Sequence, residues 1–244
     1  MDIFVKTDIG RQRETNQDFV KMHKFDDKTA LLIVCDGMGG ANAGNVASEV
    51  AVNSIYDTFL KKHKPTMNDK DLKTVMTSSI NCANLDVFDL ANTNEEYRGM
   101  GTTAVAVFID NGYAYTINAG DSRAYIVYPD KIKQITTDHS IVQQLIESNM
   151  ITLEEAKKHP ERNVITRALG VEECLDSDFY TTKLEKNYKI IICSDGLSGY
   201  VDDADILSIA NNEENAQTIC EKLIDLANEN GGGDNITVAV AKER

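Results

Sequence analysis

The chain has 244 residues, 42% of them hydrophobic, which is enough to bury the core of one large domain. Its net charge of −14 argues against nucleic acid or an anionic membrane as a partner, because both would repel it. No signal peptide and no membrane span are predicted, and five scattered cysteines without CxxC spacing indicate reduced core thiols, so we expect a cytoplasmic protein.

The first part of the chain predicts three strands followed by two long helices. The strand-like apolar runs lie at 2–8, 18–25 and 30–36. The two helices are amphipathic, and each has one apolar face directed towards a core. Those faces carry Val46, Val50, Ala51, Ile55 and Phe59 in the first helix, and Leu72, Val75, Met76, Ala83, Val87 and Leu90 in the second.

The middle of the chain predicts hairpins. Strand-like runs at 102–110 and 113–121 flank Asn111-Gly112, a strong hairpin signal, and Asp121 fits a second hairpin turn before the run at 123–129. Pro129-Asp130 marks a further turn. Sequential strands joined by tight turns indicate antiparallel pairing.

The last part of the chain predicts two short helices, a strand, a long helix and a final strand. The capping boxes Ser140-x-x-Gln143 and Thr152-x-x-Glu155 begin the short helices. The strands lie at 188–195 and 235–241, and the helix between them ends at 231–233. Its apolar face carries Ile219, Leu223 and Leu226. Helices inserted in blocks among hairpins predict an α+β fold, and we predict a single domain over residues 1–244 because no linker or repeat divides the chain.

Four aspartates recur where an apolar strand meets a glycine-containing turn: Asp36, Asp121, Asp195 and Asp234. Each alone is more typical of an ordinary turn, since Asp and Gly are common turn residues. Asp36 and Asp195 are different, because each begins a matching D-G element where a strand gives way to a helix. Two such strand ends predict that the carboxylates come together in one place. A divalent cation there would offset both their mutual repulsion and the cost of burying their charge.

Oxygen donors without Cys or His ligand spacing favour Mg²⁺, Mn²⁺ or Ca²⁺ over Zn²⁺. Glycine allows close backbone approach, so the Gly37 carbonyl is a further candidate ligand. A nucleotide-binding loop is disfavoured, because the glycine-rich stretch lacks GK[ST] and the third glycine of GxGxxG. Arg13, five residues before Asp18, is typical of a surface ion-pair partner, but beside a metal cluster its planar fork suits a phosphate.

Eight motifs follow one another along the chain: TDIGRQRETNQD, VCDGMGG, GTT, AGDSRAY, TTDHSIVQQL, NVITRALG, ICSDGLSGYV and GGGDNITVAV. Together they resemble the metal-dependent Ser/Thr phosphatases of the protein phosphatase 2C family in their short bacterial form. The resemblance covers essentially the whole chain. It implies a four-layer αββα sandwich of two antiparallel sheets flanked by helix pairs, in agreement with the predicted layers.

The resemblance also implies a site. Asp36 would bridge two metal ions, one of which would bind the Gly37 carbonyl. Asp195 and Asp234 would hold the other ion, and Asp18 would support the cluster through bound water. A third ion would lie at Asp121 and Asp195, with Mn²⁺ or Mg²⁺ as the cofactor.

The implied activity is hydrolysis of phosphoserine and phosphothreonine in proteins by a metal-bridging hydroxide that attacks phosphorus in line. Arg13 would hold the substrate phosphate, and the segment 138–165 would form a flap beside the site. The implied partners are phosphoprotein substrates and an opposing bacterial Ser/Thr kinase. A monomer is expected.

Two positions depart from the family pattern. Met38 stands where many eukaryotic members have a histidine proposed as general acid, so water would protonate the leaving group, with His139 as a weaker candidate. Gln17 stands where a glutamate is common, and it would still orient a metal-bound water. Two other hypotheses stay open. The chain could be a catalytically inactive relative, but the complete aspartate set argues against this. It could also be a structural Ca²⁺-binding protein, but Arg13 beside the cluster argues against that.

Overall fold

In a computed structural model of the protein, which describes residues 1–40 and 43–243, two antiparallel sheets pack face to face. The first sheet has the order β1-β11-β10-β7-β8 and the second the order β2-β3-β5-β6-β9, with β4 paired to β3. Strands of the first sheet are β1 (Asp2–Asp8), β7 (Arg123–Val127), β8 (Ile132–Gln134), β10 (Lys189–Cys193) and β11 (Ile236–Lys242). Strands of the second sheet are β2 (Asp18–Lys24), β3 (Ala30–Met38), β4 (Gly101–Thr102), β5 (Ala104–Asp110), β6 (Tyr113–Ala119) and β9 (Asp178–Lys183).

Helices cover the outer face of each sheet. The second sheet packs against α1 (Ala43–Lys62) and α2 (Asp69–Thr93), and the first against α5 (Asp195–Ser198), α6 (Asp203–Asn212) and α7 (Ala216–Glu229). A short 3₁₀ helix, Glu95–Tyr97, follows α2. The predicted α+β architecture, with two antiparallel sheets between helical layers, is confirmed.

The strand β3 shows why the central strands are continuously apolar. Leu32 and Val34 point into the core between the sheets, whereas Leu31 and Ile33 pack under the α1 and α2 layer. Because both faces of the strand are buried, the alternation expected for a strand with one solvated face disappears. The four layers therefore bury three apolar cores, one between each pair of layers.

One predicted hairpin is confirmed and one is wrong. Asn111 and Gly112 both have positive φ, 46° and 79°, as a two-residue turn between paired strands requires. At Asp121 there is no hairpin, since β6 belongs to the second sheet and β7 to the first. The chain crosses between the sheets there, and Gly120, with φ of 113°, provides the bend.

The segment 138–165, hereafter the flap segment, contains α3 (Ile141–Glu147) and α4 (Leu153–Ala156). Thr152 and Glu155 form the predicted capping box at α4, and the Ser140 hydroxyl accepts a hydrogen bond from the Gln143 N–H at α3. The two ends of the segment meet at a bridge between Ser140 and Ile165.

Three of the cysteines, Cys35, Cys193 and Cys220, are buried as expected. The expectation is wrong for Cys174, which is exposed, and Cys82 is half-buried. Of the helices in the described ranges, none is both long and apolar enough to cross a membrane.

Candidate active site

Five aspartates lie at one end of the two sheets. Asp18 begins β2 and pairs directly with Asp36 on β3. Asp121 follows β6, Asp195 begins α5 just after β10, and Asp234 precedes β11. Antiparallel order brings the ends of some strands and the beginnings of others to the same edge, so these five residues form one group, the carboxylate cluster.

The electrostatics of the cluster shows how closely its members lie. Burial raises the pKa of Asp36 well above its ordinary value, and the charges of the other four members raise it further. Burial also raises the pKa of Asp18 to about 7, against hydrogen bonds from Ser194 and Thr237 that lower it. For both residues the charged form is disfavoured by lost hydration and by neighbouring carboxylates.

Asp121 and Asp195, which are half-buried, behave in the same way. Burial raises the pKa of Asp121 to about 8, with the charge of Asp195 as the next cause. Burial and the charge of Asp234 raise the pKa of Asp195, although a hydrogen bond with Asp36 lowers it. The cluster therefore cannot carry all its negative charge at neutral pH unless cations compensate it.

The GTT motif fixes the backbone of Asp36. The Thr103 N–H and the Thr102 hydroxyl each donate to the Asp36 carbonyl at 2.8 Å. In return the Asp36 N–H donates to Thr103 Oγ1 at 3.0 Å. These three bonds give the motif a physical role, namely to hold the central carboxylate at the end of its strand.

Ser194 supports Asp18 from the opposite sheet, and sequence reasoning missed it. Its hydroxyl donates to Asp18 Oδ2 at 2.7 Å and accepts from the Thr237 N–H at 3.0 Å. Ser194 and Asp18 are 176 residues apart, so no local pattern could have linked them.

Gly37 is required by the packing around it. A side chain there would place Cβ 2.0 Å from the Gly44 carbonyl oxygen and 2.6 Å from the Gln17 carbonyl oxygen. The close approach that we expected towards an ion is thus also an approach of the chain to the start of α1. The role of the Gly37 carbonyl as a ligand stays a prediction.

Arg13 lies at the rim of the cluster. It belongs to the loop formed by residues 9–17, hereafter the Arg13 loop. Its Nη2 donates to Asp234 Oδ2 at 2.7 Å, and 51% of its side chain is exposed. Burial lowers the pKa of Arg13, but the hydrogen bond and charge of Asp234, with the charges of Asp195 and Asp36, raise it overall. The predicted phosphate-binding side chain therefore faces the cluster and is accessible to solvent.

Met38 and Gln17, the two positions that depart from the family pattern, lie close to this rim. Met38 is half-buried, and its Cε would be 2.6 Å from a Cβ placed on Gly101. The side chain of Gln17 donates to the Gly40 carbonyl at 3.4 Å and packs against Gly44.

His139 is held at the base of the flap segment. It is 6% exposed, and its Nδ1 accepts from the Gly120 N–H at 3.1 Å. Its Nε2 lies 3.1 Å from an Arg167 nitrogen, and burial together with the Arg167 charge lowers the pKa of this histidine. A neutral, buried and engaged imidazole fits a structural role better than that of a general acid.

The cluster fits hard divalent ions. Asp18 Oδ1 and Asp195 Oδ1 are buried and have no hydrogen-bond partner within the described residues. Buried oxygens of this kind require a partner, and carboxylates are the donors that Mg²⁺ and Mn²⁺ prefer.

Over residues 1–40 and 43–243, no three acidic, histidine or cysteine side chains converge as the complete protein ligand set of one ion. Mg²⁺ usually keeps several waters and binds through one or two carboxylates. The cluster therefore suits ions that complete their coordination with water.

The family described as Protein phosphatase 2C matches residues 9–237 of the chain. A relative from Streptococcus pyogenes, described as a putative protein phosphatase 2C-type, is 37% identical over 242 residues, which cover 98% of this chain and 96% of the relative.

Solved structures agree over the same length. The serine/threonine phosphatase of S. agalactiae has a TM-score of 0.90 and 35% identity, covering 98% of each chain. The catalytic domain of the serine threonine protein phosphatase PstP, solved in complex with two manganese ions, has a TM-score of 0.84 and 30% identity, covering 98% of this chain and 96% of that one.

Proposed function

Since the chain belongs to the protein phosphatase 2C family and is a protein-serine/threonine phosphatase, we propose that it hydrolyses phosphoserine and phosphothreonine with divalent ions held by its carboxylate cluster. The observation that carries this proposal is a pair of buried oxygens, Asp18 Oδ1 and Asp195 Oδ1, which find no hydrogen-bond partner in the described part of the chain and lie inside a group of mutually repelling carboxylates. Burial of mutually repelling carboxylates destabilises a fold, and bound cations relieve that cost.

The ligand roles follow the expected pattern. Asp36 pairs with Asp18 across β2 and β3 and is hydrogen-bonded to Asp195, and it would bridge two ions, with the Gly37 carbonyl on one of them. Asp195 and Asp234 would hold the second ion, and Asp18 would act through water. Asp121 would share a third ion with Asp195, since their charges interact directly.

Mn²⁺ or Mg²⁺ would serve as the ion, and the manganese complex of a relative favours Mn²⁺. When bound, the ions would supply an activated, bridging water as the in-line nucleophile and would withdraw charge from the phosphoryl oxygens. The chain itself would bind the phosphate and fix its orientation.

Arg13 would perform that binding. Its guanidinium can hold two phosphate oxygens with parallel N–H bonds, and its exposure lets a substrate reach it. In doing so it would exchange the Asp234 carboxylate for phosphate, which frees Asp234 for an ion. The leaving group would take its proton from water, because Met38 has none to give and His139 is buried and engaged.

We also propose a single catalytic domain over residues 1–244, a monomer, with the flap segment beside the site and a bacterial Ser/Thr kinase as its opponent. Five free cysteines suit a reducing cytoplasm. The last residue, Arg244, lies outside the described residues.

The test is hydrolysis of a phosphothreonine peptide and of a small aryl phosphate, with chelator, with Mn²⁺ and with Ca²⁺. Turnover of both substrates in Mn²⁺ and none in chelator supports the proposal. An inactive relative would release no phosphate in Mn²⁺, and a structural calcium protein would bind Ca²⁺ tightly without turnover.

A further inference from the structure

The Arg13 loop spans nine residues without a helix or strand, yet it has to present one side chain with precision. Part of it rests on the glycine-rich loop before β11, where the Arg11 N–H donates to the Gly232 carbonyl at 2.7 Å. This bond holds the backbone only before Arg13. Beyond Arg13, the Gly37 N–H and the Ser48 hydroxyl donate to the Gln17 carbonyl at 3.0 and 2.6 Å, and one further group joins the two ends of the loop to each other.

Asn235 supplies that group. Its Nδ2 donates to the carbonyl oxygens of Ile9 and Thr15, both at 2.9 Å. Its Oδ1 accepts from the Gln17 N–H at 2.8 Å. One amide side chain, 5% exposed, thus joins the first residue of the loop to two residues at its other end.

The chemistry of these bonds requires an asparagine. The opposite orientation of the amide would place its oxygen against two carbonyl oxygens and its NH₂ against an N–H. An aspartate has the same shape but no N–H donors, and it would add a carboxylate directly beside Asp234. The donor and acceptor pattern of the loop therefore selects an amide of this length.

We propose that Asn235 is a positioning residue for phosphate binding, which acts by fixing the Arg13 loop so that Arg13 faces the carboxylate cluster. The inference rests on the proposed role of Arg13. Asn235 touches neither substrate nor ion in this account. The preceding residue, Asp234, forms the ion pair with Arg13. Two adjacent residues, Asp234 and Asn235, therefore bind the side chain of Arg13 and the backbone of its loop.

Asn84 offers a matched control. It is also buried, and it also makes three bonds to a loop backbone: Nδ2 donates to the carbonyls of Glu172 and Glu173, and Oδ1 accepts from the Gly170 N–H. Asn84→Ala therefore removes the same number and kind of hydrogen bonds, but from a loop that does not carry Arg13.

The experiment is a double-mutant cycle of Asn235→Ala and Arg13→Ala on phosphothreonine peptide hydrolysis in saturating Mn²⁺. We expect Asn235→Ala to lower kcat/KM by about tenfold, mainly through KM, because several buried hydrogen bonds are lost. In the Arg13→Ala background the same change should cost less than about threefold, since the two residues act as one unit.

A second readout uses the metal-free protein. In that protein, Asn235→Ala should accelerate hydrogen exchange at the Gln17 N–H, and Asn84→Ala at the Gly170 N–H instead. In saturating Mn²⁺, kcat/KM of the Asn84 variant should stay within about twofold of the parent. Should Asn235→Ala fail to fold, Asn235→Ser, which keeps one donor, enters the same cycle.

The proposal would be overturned if Asn235→Ala lowered kcat/KM by the same factor in the parent and in the Arg13→Ala background. It would also be overturned if Asn235→Ala left kcat/KM unchanged, or if Asn84→Ala lowered kcat/KM as much as Asn235→Ala does. Failure of the proposed function would look different: Arg13→Ala itself would then leave kcat/KM unchanged.

Discussion

The carboxylate cluster and the flap segment are built in opposite ways. The backbone of Asp36 makes three hydrogen bonds with Thr102 and Thr103, and Asp18 accepts one from a serine of the facing sheet. In the flap segment, α3 buries no side chain and α4 buries only Ala156. Met150 and Leu153 are 70% and 68% exposed.

The contrast separates rigidity from adaptability. Groups that hold ions must keep their geometry, and here strand ends and a bonded backbone keep it. A segment with little buried apolar surface opens at low free energy and can adjust to different protein substrates. The molecule thus places the proposed chemistry on its sheets and leaves the flap segment for the proposed recognition.

The largest effect is expected at the rigid side of this comparison. Asp36→Ala or Asp36→Asn should lower kcat by roughly a thousandfold or more, because activation of water by metal is worth several pKa units. Added Mn²⁺ should rescue Asp36→Ala poorly. Steady-state kinetics across a Mn²⁺ titration, with circular dichroism to confirm folding, measures this.

Asp110→Asn is the control, since Asp110 ends β5 at the other end of the sheet and accepts from Thr29. It should keep the parent kcat. A folded Asp36→Ala enzyme with near-normal kcat would show that the cluster is not the catalytic centre.

The next effect concerns the rim. In its proposed role Arg13 would contact phosphate in the ground state and in the transition state alike, so Arg13→Ala should mainly raise KM, by about 1–3 kcal/mol in binding free energy. Arg13→Lys should recover only part of this, because a lysine lacks the planar fork. A fall in kcat with unchanged KM would contradict the assignment.

A smaller effect should follow from the flexible side. Residues 143–162 can be replaced by two glycines while the Ser140–Ile165 bridge and the bond from the Ile141 N–H to the Val164 carbonyl are kept. We expect this shortening to lower turnover of a phosphopeptide several times more than that of an aryl phosphate. Equal losses on the two substrates would remove the recognition role.

The smallest effect is on stability. In metal-free protein the pKa values of Asp18 and Asp121 are raised to about 7 and about 8 by burial. The folded state therefore holds more protons than the unfolded chain between about pH 4 and pH 8, and the free energy of unfolding falls as pH rises through this window. Carboxylates with lowered pKa, such as Asp178, act at more acidic pH.

Thermal unfolding in chelator from pH 5 to pH 9 measures this slope. Mn²⁺ should raise the melting temperature more at pH 8 than at pH 6, because bound cations favour the ionised carboxylates. A melting temperature that rises with pH in chelator would mean that repulsion between the carboxylates of the cluster does not destabilise the folded protein.

Much of the fold could be predicted because its central strands, such as β3 and β10, are buried on both faces and continuously apolar. The edge strands β8 and β9 were missed, since their residues are largely half-exposed and polar. The helix α6 was missed for a similar reason, with only Ile206 and Ala210 buried. At Asp121 the turn signal was genuine, but a turn between strands of one sheet and a crossing between sheets begin with the same residues.

Four of the five candidate aspartates could be predicted because each stands at a strand end beside glycine, whereas Asp18 has no neighbouring glycine and was indicated only by the family resemblance. Their supporting residues could not. Ser194 and Asn235 act on partners 176 and more than 200 residues away, and only the folded chain brings them together. The strength of the mutual repulsion likewise depends on burial that no local pattern reveals.

The central claim is that ions in the carboxylate cluster are required for hydrolysis. The most direct test is a Mn²⁺ titration of exhaustively chelated protein, followed by calorimetry and by phosphothreonine peptide hydrolysis on the same samples. We predict no turnover without metal, turnover that rises as two or more sites fill, and loss of both signals in Asp36→Ala. Full turnover in the chelated protein, or filling of the same sites with the same affinity in Asp36→Ala, would contradict it.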